Sequence, residues 1–131
     1  SVEKEQSISI DDHFKEWEKI FNGIKGAIDI VAFQDGHVNY DQLLDFIKVN
    51  KELADNNNIE SWINTETFDR DMPIKFLPIK WDKLKYKLDI ASKAGIKEAI
   101  TFEFSHFMSP QSSYIQANHL YNRYMDYIEK R

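Results

Sequence analysis

The chain contains no cysteine, only 4 Gly and 3 Pro in 131 residues, and no apolar run of about 18 residues. The missing thiols exclude disulfides, thiol nucleophiles and zinc-thiolate sites, and leave the compartment open, since proteins on either side of a membrane can lack them. The missing apolar run excludes a membrane-spanning helix. A cluster of basic residues is absent as well: 17 Lys and Arg are interspersed among 22 Asp and Glu, for a formal charge of −5, which argues against nucleic acid as a partner. There is no Gly-x-Gly-x-x-Gly, no phosphate-binding loop ending in Lys-Ser/Thr and no Gly-x-Ser-x-Gly elbow, so nucleotide binding and serine hydrolysis lack their usual devices.

What is present is apolar enough to pack: 42% hydrophobic residues, of which a third are aromatic (14%). The length suits one domain, and residues 1–131 are read as a single α/β unit. Behind Asp11 and Asp12, the residues Phe14, Trp17, Phe21 and Ile24 recur at helical spacing. Ala27 to Phe33 is a short β-branched run that predicts a strand buried on both faces, ending at Gln34-Asp35-Gly36. Asn39 and Gln42 suggest a capping box for a second helix through Leu43, Phe46, Ile47 and Ala54. Ile59 to Ile63 predicts a second strand, and Asp69 to Pro78, with two prolines, a loop. A third helix runs from Trp81 to Ala91 and stops at Gly95. Ala99 to Phe104 predicts a third strand, and Ser113 with Gln116 a capping box for a last helix.

The predicted order is a leading helix followed by (βα)3, which implies parallel strands. Three strands are too few for a doubly wound sheet or for an eight-stranded barrel, so the expectation is a fragment of a larger domain, consistent with a chain that opens on Ser1. Two exposed sheet edges in such a fragment predict self-association.

In parallel α/β folds the chemistry collects at the carboxyl ends of the strands. Three polar clusters fall there: Gln34, Asp35, Gly36 and His37; Asn64, Thr65 and Glu66; Glu103, Ser105 and His106. The segments Ile30 to Gly36, Trp62 to Phe68, and Thr101 to Phe104 continuing through Met108-Ser109-Pro110 resemble the carboxyl-terminal half of a glycoside-hydrolase-like TIM-barrel family, catalogued as domain of unknown function 4434. That resemblance implies the carboxyl-terminal portion of a (β/α)8 barrel, a carbohydrate ligand and cleavage of glycosidic bonds by paired carboxylates. Glu66 would then end the seventh strand, where similar retaining barrel glycosidases place the nucleophile, while the strand that carries their acid would be missing.

The residues themselves leave alternatives. Glu66 is the first candidate for a catalytic carboxylate, and equally a loop acid that pairs with Arg70. Asp35 serves as a second carboxylate or as part of an Asp-Gly turn. Glu103, alternating with Phe102 and Phe104, is a third candidate if it points into a barrel and a solvated strand residue if not. Gln34, Asn64, Trp62, His37 and His106 are candidate substrate-binding groups, Trp62 being equally a core residue. No pair of histidines has tight ligand spacing, so no metal and no cofactor are assigned. The competing classes are a carbohydrate-binding or scaffold module without chemistry, and a metal-dependent hydrolase or isomerase on the same barrel.

Overall fold

In the computed structural model, which describes residues 9–71 and 75–130, the chain is a mixed α/β unit with two separate sheets. Helix α1 (Ile10–Ile24) starts at Ser9, whose hydroxyl accepts the Asp12 backbone N–H at 3.1 Å. Asp11 and Asp12 in its first turn favour the positive end of the helix dipole. Its apolar stripe lays the fully buried Phe21 edge-on against Phe33 of strand β1 (Ile30–Gln34). Helix α2 (Leu43–Asn56) follows, beginning after the predicted capping box. Gln42, not Asn39, is its N-cap, and no side chain caps the turn.

Strand β2 (Glu60–Glu66) runs between β1 and β5 (Ala99–Phe102), parallel to both, with Gln34 beside Asn64 and Glu66 beside Phe102. The crossovers are α2 and α3 (Trp81–Lys93). Helix α3 ends at Gly95 in the left-handed region (φ 88°), as a glycine stop requires.

Among the described residues, helices cover one face of this sheet. Val31, Phe33 and Ile63 pack under α1, α2 and α3 with Phe21, Leu43, Ile47, Leu53 and Ala91. On the opposite face Ile30, Ile100 and Phe102 stay more than 40% exposed. The expectation that β1 is buried on both faces is therefore corrected: alternation along β1 separates a covered row from an open one.

Two further corrections concern the connections. Residues predicted as a loop form a hairpin, β3 (Phe68–Asp71) against β4 (Lys75–Pro78), antiparallel and separate from the main sheet. Pro78 is tolerated because it closes a strand in a two-stranded ribbon rather than sitting inside a central one. The third main strand stops at Phe102, and Phe104 opens the short helix α4 (Phe104–Phe107). The last helix, α5 (Ile115–Glu129), has Tyr114 as its N-cap without the predicted Ser113 cap. It packs Leu120 onto Ile79, Leu84, Leu88 and Met108. No helix among the described residues is long and apolar enough to cross a membrane.

Candidate functional site

The ends of β1 and β2 meet at one carboxylate. Glu66, the last residue of β2, is 3% exposed, and one of its oxygens, Oε1, accepts from Arg70 at 2.7 Å and from the Gln34 amide at 3.2 Å. The other, Oε2, has no hydrogen-bond partner among the described residues. Because β1 and β2 are parallel and in register, Gln34 and Glu66 reach the same end of the sheet, with Asn64 between them on the same face. Gly36 makes room for this contact. A Cβ there would fall inside van der Waals contact of Glu66 Oε1 and 3.0 Å from its Cδ.

The backbone of Glu66 is fixed by Asp35. Asp35 Oδ1 accepts the Glu66 N–H at 2.9 Å, and Oδ2 lies 3.1 Å from the Lys87 ammonium. Lys87 also donates to the Glu66 carbonyl at 3.3 Å. This pair is deeply buried, the Asp35 side chain at 0% and that of Lys87 at 9% exposure. Burial raises the Asp35 carboxyl above its ordinary value, against the pull of Lys87 and the Glu66 N–H. Tyr40 shares the pocket, and burial together with the charges of Asp69, Asp35 and Glu66 pushes its phenol up to about 12, so it keeps its proton at neutral pH.

These groups, with exposed His37 held at a left-handed φ of 64°, line a cavity of about 440 Å³. Gln34, Asp35, Glu66 and His37 thus come together as the strand-end pattern predicted. Asn64 sits on the adjoining open face with a buried, unpartnered Oδ1. Trp62 lies on the same face, but four residues before Glu66 places it about 13 Å along the strand, and its indole N–H is taken by Glu60 at 3.0 Å.

Glu103 is corrected more fully. It is not a strand residue alternating with Phe102 and Phe104, but the N-cap of α4, accepting the His106 backbone N–H at 3.0 Å and pairing with the His106 ring. That backbone bond holds its carboxyl below the usual carboxylate range. Glu103 and His106 therefore engage each other rather than Glu66. Among the described residues, no three or more His, Cys, Asp or Glu side chains converge to hold a metal ion.

Arg70, Lys87 and Tyr40 complete the site beyond the predicted set. Arg70 is the ion-pair partner of Glu66 that the sequence suggests. Lys87 carried a readable signal: it stands at i+3 on the stripe Leu84, Leu88, Ala91, where a lysine interrupts the buried face of α3.

Residues 2–114 match the model of a family described as a domain of unknown function, DUF4434. The chain belongs to the DUF4434 family. It is also similar to the crystal structure of a putative alpha-L-fucosidase from Bacteroides thetaiotaomicron VPI-5482, at 58% identity and a TM-score of 0.90. The match covers 98% of this DUF4434 chain and 40% of the fucosidase-like chain, so these 131 residues span well under half of that protein's length. No curated protein matches.

A substitution at Gly36 tests how closely the site is packed. In Gly36→Ala the new methyl displaces the buried Glu66 carboxylate from its place beside Arg70 and Gln34. Stability in thermal unfolding is expected to fall by about 1–3 kcal/mol. The Glu66 carboxylate loses its fixed place beside Gln34 and Arg70, seen as a changed carboxylate resonance in carbon-detected NMR.

Proposed function

We propose that this chain carries the nucleophile side of a glycoside hydrolase site, with Glu66 as the attacking carboxylate or the base. The carrying observation is the asymmetric clamp on its carboxylate: Arg70 and Gln34 hold Oε1, while Oε2 is left without a partner beside the cavity. A carboxylate held this way is paired with a cation through one oxygen and presents the other to an anomeric carbon or a water. Asp35 is a positioning residue in this reading, since both its oxygens are engaged in placing the Glu66 backbone and neutralising Lys87. The likeness to a putative alpha-L-fucosidase makes α-L-fucosides the first substrates to try.

The proposal extends to the fold. The sheet covered by helices on one face and open on the other, in a chain spanning 40% of its fucosidase-like neighbour, is read as the carboxyl-terminal part of a TIM barrel, the open face being the one that turns inward on closure. The acid partner then comes from the remainder of the barrel, and the 131 residues alone turn over no glycoside. Assays of the isolated chain and of the full-length protein with 4-nitrophenyl α-L-fucoside test both parts. Turnover by the isolated chain overturns the claim of incompleteness, and a full-length protein inactive on fucosides and other aryl glycosides, yet binding saccharide, favours a binding module.

The same open face gives a prediction about assembly. With Ile30, Ile100 and Phe102 exposed and β1 and β5 both at edges, the isolated chain is expected to self-associate. Light scattering is expected to show a mass above 15.5 kDa that grows with concentration. A constant monomer mass at high concentration contradicts it.

A further inference from the structure

Next to the Glu66 cavity lies a larger groove of about 640 Å³, between the β3–β4 hairpin and the starts of α3 and α5. Asp69 and Arg70 line both spaces, so the groove and the site share a wall. Its volume falls within the range of small-molecule sites.

The groove reverses the charge of the chain around it. The protein carries a formal charge of −5, yet the groove wall holds three cations, Arg70, Lys80 and Lys83, against one carboxylate, Asp69. Asp69 is taken up by Lys83 at 2.8 Å, and Arg70 by Glu66. Exposed Lys80 has no ion-pair partner among the described residues, which leaves an unmatched positive charge. The wall formed by α5 offers apolar surface: Tyr114, whose ring stacks on Phe107 with its hydroxyl bonded to the Phe76 carbonyl at 3.3 Å, and Ile115, 81% exposed.

An apolar and aromatic wall facing ammonium groups suits a ligand with C–H faces on one side and an anionic substituent on the other. We infer that this groove binds an acidic sugar, one bearing a carboxylate or a sulfate, in the saccharide whose glycosidic bond lies at Glu66. The placement of that bond rests on the glycosidase reading; the binding of an acidic sugar stands on the groove itself. Arg70 is the shared wall, contacting Glu66 on one side and the acidic residue of the ligand on the other.

The test is calorimetric titration of the full-length protein with digalacturonate, a 6′-sulfated lactose and plain lactose. At least one acidic disaccharide is expected to bind about tenfold more tightly than lactose, with the preference shrinking between about 20 and about 300 mM NaCl as screening grows. Preference for digalacturonate identifies a uronate ligand, and preference for the sulfated sugar a sulfated one. Lys80→Glu, at an exposed position that leaves the fold intact, is expected to lower acidic binding about tenfold while lactose is unaffected, and Lys80→Arg to restore it. Equal binding of lactose and the acids, no binding of any probe, or acidic binding unchanged in Lys80→Glu overturns the inference. Glu66→Gln is expected to leave this binding in place, so loss of turnover in that variant and loss of acidic binding in Lys80→Glu report on the two readings separately.

Discussion

Glu66→Gln is expected to lower kcat of the full-length protein on an aryl glycoside about 10³-fold, with KM changed little. Glutamine keeps the shape and an oxygen for Arg70 and Gln34 to hold, so what it removes is the charge and the free Oε2. A Glu66 that served only as an acceptor for Arg70 would behave in the opposite way, retaining turnover and losing some stability. Glu66→Ala sharpens the distinction, because it empties space beside the site. Added azide is then expected to restore part of the rate and to yield a glycosyl azide if Glu66 is a nucleophile. Absence of rescue together with a normal rate in Glu66→Gln would remove Glu66 from the chemistry.

The strand ends were legible because two local signals agree there. A β-branched run ends in Gln34-Asp35-Gly36, and the short strand run Ile59 to Ile63 leads into Asn64-Thr65-Glu66. Parallel pairing then forces Gln34 and Glu66 to the same edge, and the structure brings them within a hydrogen bond. Glu103 misled for an equally local reason: it alternates with Phe102 and Phe104 as a strand residue would, while its side chain reaches forward to a backbone N–H three residues on and starts a helix. The hairpin was hidden by prolines, which are poor strand residues in general, yet Pro78 fits because it closes the ribbon. The covering of β1 was not legible either, since burial of its second face depends on what else the sheet meets and not on the strand's own residues.

Lys87→Met is expected to be among the most destabilising single changes in the molecule. It leaves Asp35 charged, fully buried and without its cation, and it removes a donor from the Glu66 carbonyl. Breaking a buried ion pair on one side costs about 3–5 kcal/mol, a lowering of roughly 10–20 °C in Tm for a chain of this size. Asp35→Asn strands Lys87 in the same way while keeping an acceptor for the Glu66 N–H. The double variant Asp35→Asn/Lys87→Met is expected to fall well short of the two losses added together, because no buried charge remains. The pH dependence separates the causes. Burial already raises the Asp35 carboxyl, so the folded chain holds that proton more tightly than the unfolded chain. Its contribution is fully present below the ordinary value of 3.8 and is lost as pH rises through the raised one. Removing Lys87 takes away an influence that lowers the Asp35 value, so the window widens upward. The deficit of Lys87→Met is therefore expected to shrink as pH falls from neutral through the raised Asp35 value and the carboxyl takes up a proton, whereas that of Asp35→Asn, with no carboxyl to neutralise, is not. Thermal melts of the four proteins across that range measure it, and an equal deficit for Lys87→Met at every pH would show that Asp35 is not the charge left behind.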